Sequence, residues 1–185
     1  MLKTALLVMD LHQEIVDRHA DAAYVSRVAE AIATARALSM PILFVGLWFR
    51  SGHPEVSARN RTFSALATRG AFAGKAPEPF PSEIAARPTD TFVVKRRVSA
   101  FVGSDLETLL RSMEIETLVL TGIATSGVVL STLRAAADLD YRLIVLSDAC
   151  ADSDVEVHRV LLEKVFPKQA DVITIAQWKS RPVAG

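Results

Sequence analysis

The chain has one cysteine, Cys150, so no intrachain disulfide can form, which fits a reducing cytosol. Neither sign of charge is in excess. Lys and Arg total 21, Asp and Glu total 21, and the formal net charge is zero. That balance argues against an electrostatic nucleic-acid binder, which shows a basic surplus or patch. The cluster Lys95-Arg96-Arg97 is too small to change this. No stretch approaches the ~18 consecutive apolar residues of a membrane helix. The apolar start, Met1 to Met9, contains Lys3 and is closed by Asp10, too short for a signal h-region with its cleavage site. A cytoplasmic protein with no membrane partner is therefore expected. No Gly-x-Gly-x-x-Gly follows the first apolar run, and Gly122-x-x-x-x-Gly127 continues with Val128-Val129 instead of the Lys-Ser/Thr of a phosphate loop. No cofactor is expected.

Against these absences stand short, continuous apolar runs. Ala5-Leu6-Leu7-Val8-Met9, Ile42-Leu43-Phe44-Val45, Phe92-Val93-Val94, Thr117 to Leu120 and Leu143 to Leu146 read as strands buried on both faces, with Val172 to Ile175 as a sixth. Helical spacing lies between most of them. Val25, Val28, Ile32 and Ala35 share one face. Ser104 to Glu107 and Ser153 to Glu156 have the form of capping boxes, and Thr125 to Asp138 is an alanine-rich helix. Strand and helix alternate, which predicts one α/β domain over residues 1–185, a three-layer α/β/α sandwich around a mainly parallel six-stranded Rossmann-like sheet. Ser51 to Asp90 lacks periodicity and is long for a connection, so it is expected to order locally as a lid or a subunit contact.

Ligands of open parallel sheets bind beyond the carboxyl ends of the strands. Asp10 ends the first strand, Lys95 ends the third, and the turn from Gly122 to Val128 leaves the fourth and opens a helix. In a partly dry cleft an acid and a lysine favour each other's charged form. The free amides of a helix N-terminus favour an anion or oxyanion. Asp10, the segment Lys95-Arg96-Arg97-Val98-Ser99-Ala100-Phe101, the run Gly122 to Thr132 and Ser147-Asp148-Ala149-Cys150 together resemble the isochorismatase-like cysteine hydrolases. The resemblance covers nearly the whole chain.

It implies that Asp10 and Lys95 are the acid–base pair, that the amides of Ala124 and Val128 form the oxyanion hole, and that Ile123–Ala124 is a cis peptide. It places the family's nucleophile six residues after Gly122 and four before Thr132, where this chain has Val128. A branched alkyl group cannot attack a carbonyl. A shift of one residue would put Gly127 in the slot, as in members that protonate an enol ether and need no nucleophile. The metal-binding members carry a clustered Asp/His set after the second strand, where this chain offers His53 beside Trp48 and Arg50; no metal is expected. Phe101 is expected to contact substrate through its motif, with Phe63, Phe72, Trp48 and Phe49 as further candidates for pocket, core or interface. His12 and Gln13 follow Asp10 and are read as substrate contacts or surface loop. Ser126 is read as a substrate contact, a substitute nucleophile or a backbone-bonding hydroxyl. Cys150 falls outside the nucleophile position and reads as a buried small hydrophobe. The expected partners are a small-molecule substrate and further copies of the chain, as a homodimer or higher homo-oligomer. Two functions stand at this point: a hydrolase acting through Asp10 and Lys95 without a thiol, and a non-catalytic small-molecule-binding or regulatory protein on the same scaffold.

Overall fold

In the computed structural model, residues 3–74, 80–84 and 86–181 are described. Part of the long connection (75–79 and 85) and the extreme termini lie outside them. Six parallel strands form one sheet: β1 (Thr4–Met9), β2 (Ile42–Leu47), β3 (Thr91–Lys95), β4 (Thr117–Ile123), β5 (Arg142–Ala151) and β6 (Asp171–Ile173), in the order β3-β2-β1-β4-β5-β6. The chain first builds outward from β1 through β2 to β3. It then crosses back to β4, beside β1, and builds the other way. The order reverses between β1 and β4, and a crevice opens at such a switch point.

The alternation of side chains along β1 sorts the core into two layers. Ala5, Leu7 and Met9 face one side, with Leu110 of α4 (Leu106–Ser112), Leu133 and Ala136 of α5 (Leu130–Asp138), and Phe166. Leu6 and Val8 face the other, with Val16 of α1 (Gln13–His19), Val28, Ile32 and Ala35 of α2 (Tyr24–Ala37), and Trp178 of α7 (Ile175–Ser180). Each fully buried Leu or Val contributes roughly 1.5–3 kcal/mol of transfer free energy. That is why these strands are apolar without interruption and why the sheet is covered on both faces.

Helix starts depart from the sequence reading in specific ways. Neither expected capping box forms. Ser104 donates its hydroxyl to the Ala100 carbonyl at 2.6 Å while accepting from the Leu106 N–H at 3.3 Å, and α4 begins at Leu106. In α6 (Val155–Val160) the cap is Asp154, not Ser153, because its carboxylate takes the N–H groups of Glu156 and Val157, both at 3.0 Å. The capping box that does form is Thr174 with Gln177. It ends the sixth strand early and turns Ile175 into the first residue of α7 instead of the last of β6. Within the long connection, Asn60 caps a helix that the periodicity does not reveal, α3 (Arg61–Thr68), accepting from the Phe63 N–H at 3.1 Å.

Gly122 sets how closely β4 approaches β1. It pairs with Met9, has φ +148°, and a Cβ there would lie 2.5 Å from the Met9 carbonyl oxygen. Gly122→Ala is expected to cost about 2–4 kcal/mol through backbone strain and displacement of β1, read as a lowered Tm. A Tm within a degree of wild type would show that the two strand ends are loosely coupled.

Candidate active site

Asp10 leaves β1 in the left-handed region, with φ 57° and its N–H donating to the Val45 carbonyl at 2.8 Å. Asp is among the few side chains that tolerate this conformation. The turn lifts the carboxylate out of the sheet plane over the strand ends. Lys95 comes from the edge strand β3, paired with Leu47 of β2. Its ammonium meets Asp10 Oδ2 at 2.9 Å and donates to the Arg97 carbonyl at 3.0 Å. The lysine side chain is 2% exposed and the aspartate 9%. A lysine so deeply buried requires a counter-charge, because an unpaired buried ion costs several kcal/mol. Asp10 Oδ1 is buried and has no hydrogen-bond partner among the described residues. One carboxylate oxygen is therefore fixed by the lysine, and the other is an acceptor without a donor.

The Lys95 segment is tied to the helix that follows β4. The Ala100 N–H donates to the buried Thr132 hydroxyl at 2.9 Å, and the Phe101 N–H to Ser99 Oγ at 3.3 Å. Thr132 thus holds the Lys95 segment against α5, and Ser99 closes a turn within that segment.

β4 ends in a cis peptide between Ile123 and Ala124. A wide turn from Thr125 to Val129 then leads into α5. The Ala124 carbonyl accepts from the N–H groups of Gly127 at 3.0 Å and Val129 at 3.3 Å, passing over that of Val128. The turn is anchored from outside. The Thr125 hydroxyl donates to the Ala151 carbonyl at 3.1 Å and meets His158 Nδ1 at 2.8 Å, and the Ser126 N–H donates to Asp152 Oδ2 at 2.8 Å. Burial holds the His158 imidazole below its ordinary pKa. Burial pushes the Asp152 carboxyl up, but hydrogen bonds from Ser126 and Asp154, with the nearby His19, together outweigh it and leave Asp152 below the usual carboxylate range.

Asp10, Lys95, Ile123, Ala124, Gly127 and Val128 line one cleft of about 220 Å³. Its remaining wall was not legible as such in the sequence. Glu14, Ile15, Arg18 and His19 come from α1, Leu47 and Val98 from beneath, and Thr62, Phe63, Leu66, Arg69 and Phe72 from α3 and the turn after it. Phe63 and Phe72 were candidates for this place. The α1 residues carry no signal beyond an exposed Glu14–Arg18 pair four residues apart, which any solvated helix can show.

The other predicted contacts sit elsewhere. Phe101 stacks on Tyr141 with centroids 6.2 Å apart, against the core, and does not line the cleft. His12 is buried against Phe72 and Phe80, at 5.4 and 6.1 Å between ring centroids, in space left by Gly46. Gln13 is exposed and donates to Asp17 at 2.7 Å. Ser126 is exposed and outside the cleft lining. Of the two slot candidates, both line the cleft. The Val128 side chain is 2% exposed and packs into the core, while a Cβ on Gly127 would meet nothing closer than Ala124 Cβ at 3.8 Å.

Cys150 lies under the site, not in it. It pairs with Gly122 across β4 and β5, and burial pushes its thiol up to about 12. A thiol raised that far stays protonated at mildly alkaline pH, where a free cysteine is already partly thiolate. Iodoacetamide should leave the folded protein unlabelled there and alkylate Cys150 only after denaturation. Rapid labelling of the native protein would contradict this burial.

His53, the one histidine near the end of β2, bonds through Nε2 to the Ala71 carbonyl at 2.7 Å and serves the packing of its loop. Among the described residues no three His, Cys, Asp or Glu side chains gather as a metal site. No helix among them is long and apolar enough to cross a membrane.

An isochorismatase domain model matches residues 4–177. The chain belongs to the isochorismatase family of hydrolases. It is 31% identical over 181 residues to YecD, an uncharacterized isochorismatase family protein of Escherichia coli O157:H7, covering 94% of this chain and 93% of that one. It is 32% identical over 171 residues to the ureidoacrylate amidohydrolase RutB of Pantoea ananatis, covering 80% of this chain and 68% of the relative. Among solved structures, an isochorismatase family protein from Burkholderia thailandensis superposes with TM-score 0.82 at 28% identity, over 96% of this chain and 94% of the other. The N-carbamoylsarcosine amidase of Thermoplasma acidophilum shares the fold, with TM-score 0.74 at 23% identity over 99% and 100% of the two chains.

Proposed function

We propose that the protein hydrolyses a small molecule of amide, ester or enol-ether type through Asp10 and Lys95, without a cysteine nucleophile. One juxtaposition carries the reading: the buried Asp10–Lys95 pair, at 2.9 Å, shares a cleft with Ala124, Gly127 and Val128 of the turn that opens α5. In the amide or ester case, Asp10 Oδ1 takes a proton from water as its oxygen bonds to the substrate carbonyl carbon. Lys95 holds the carboxylate in place and keeps positive charge beside it. The carbonyl oxygen becomes an oxyanion facing the N–H groups of Ala124 and Val128, where the helix N-terminus favours negative charge. Collapse breaks the bond to the leaving group, which receives the proton from Asp10. In the enol-ether case Asp10 enters in its protonated form and delivers that proton to the vinyl carbon. Water adds to the resulting cation and returns a proton to Asp10, and the hemiketal collapses with cleavage of the C–O bond to give a ketone and the free alcohol.

A second reading is a binding or regulatory protein on the same scaffold. It is favoured by Val128, which fills with buried alkyl carbon the position where the family resemblance puts a thiol. The two readings separate on a panel of small amides including ureidoacrylate, activated esters and isochorismate. Turnover of any of them, with the preferred substrate naming the chemistry, supports the hydrolase. Saturable binding of panel members with no product from any would favour the binding protein.

We further propose that the protein works in the cytoplasm as a homo-oligomer. Val155 and Val157 on α6 are exposed, and no α6 residue is buried within the protomer, which supports an apolar contact there. Light scattering that returned the mass of one chain would contradict this assembly.

A further inference from the structure

The charges around the cleft do not cancel. Asp10 is matched by Lys95, and Glu14 by Arg18 at 2.9 Å. Arg69, on the opposite wall, has no carboxylate partner among the described residues. It stands in a stretch, residues 56–74, that contains Arg59, Arg61 and Arg69 and not one Asp or Glu, in a chain whose overall charge is zero. The same stretch supplies Phe63, Leu66 and Phe72 to the wall, so the cleft is roofed by apolar surface ending in a free guanidinium. Like charge concentrated at the mouth of a low-dielectric cleft focuses the field there and selects ligands of opposite sign.

We infer that the molecule this cleft accepts carries a carboxylate, held by Arg69, on an apolar or planar body that lies along Phe63, Leu66 and Phe72. The guanidinium presents paired donors in a planar fork that matches the two oxygens of a carboxylate. The small cleft, about 220 Å³, leaves room for a compact body between that fork and Asp10. The inference rests on the reading of this cleft as the substrate site. It assigns Arg69 to specificity and not to the reacting atoms.

Benzoate and benzamide make a matched probe pair, equal in shape and different in charge. Their affinities for the full chain, measured by calorimetry at low ionic strength, are expected to favour benzoate by about tenfold, as for a partly exposed charge-assisted contact. Arg69→Gln should erase that preference, Arg69→Glu should reverse it, and salt should weaken it in the wild type alone. Arg69 is exposed, so both variants should keep the wild-type Tm. Benzoate preference unchanged in Arg69→Gln, no measurable benzoate binding to the wild type, or inorganic phosphate displacing benzoate more strongly than acrylate does would each overturn the inference. A catalytic failure reads differently. If Asp10→Asn left turnover intact while Arg69 still governed benzoate affinity, the mechanism would fall and the anion site would stand. If turnover were lost in Asp10→Asn but indifferent to Arg69, the reverse would hold.

Discussion

Asp10→Asn is expected to lower kcat by about 10²–10⁴-fold on whatever substrate the protein turns over, with little change in KM. The exchange keeps the side chain's shape and leaves an oxygen to accept from Lys95, but it removes the group that moves the proton. Alanine is a poorer test. Both exchanges remove the counter-charge of the Lys95 ammonium, 2% exposed, but alanine also removes its hydrogen-bond acceptor and leaves a void, so more of any activity loss would be mixed with a loss of fold. The asparagine variant should bind the carboxylate probe at least as tightly as wild type, because it removes a negative charge from the same cleft. A kcat within a factor of three of wild type would remove Asp10 from the chemistry.

The second large effect is on stability. Lys95→Met leaves Asp10 buried with both oxygens unpaired, a loss of about 3–5 kcal/mol. For a chain of this size that corresponds to a fall in Tm of roughly 6–20 °C. Combining it with Asp10→Asn removes both charges and should recover most of the loss, because the penalty lies in one uncompensated ion and not in the absence of the pair. The double variant would then be folded and inactive. That combination separates the contribution of the pair to folding from its contribution to catalysis. A Lys95→Met protein as stable as wild type would mean that water reaches the carboxylate freely and that the site is wetter than its burial implies.

Asp10 and Lys95 of the candidate site were legible because they break the pattern. Asp10 and Lys95 stand at the ends of apolar runs, and a parallel sheet brings such ends together. The strands were legible for the same reason, since a segment buried on both faces has no polar residues to mask it. What could not be read is whatever depends on which of two competing hydrogen bonds forms. Ser104 bonds back to Ala100 rather than capping α4. Asp154 outcompetes Ser153. Thr174 with Gln177 turns an expected strand end into a helix. Nor does periodicity say what an exposed helix faces. Glu14, Arg18 and Arg69 look like ordinary solvated positions until the fold sets α1 and α3 across from the strand ends. Phe101 shows the converse: its motif suggested the pocket, but the aromatic found a partner in Tyr141.

The central claim is hydrolysis without a thiol, and this chain allows a direct test because Cys150 is its single cysteine. Cys150→Ala yields a protein with no sulfhydryl group at all, changed at a core position that does not line the cleft. Turnover of the best panel substrate should be measured for wild type, Cys150→Ala and Asp10→Asn side by side, with Tm recorded for each. The account predicts that the thiol-free protein keeps its kcat/KM within a few-fold while Asp10→Asn loses it. A folded Cys150→Ala protein that has lost turnover, or a wild type that binds the panel and converts none of it, would contradict the account.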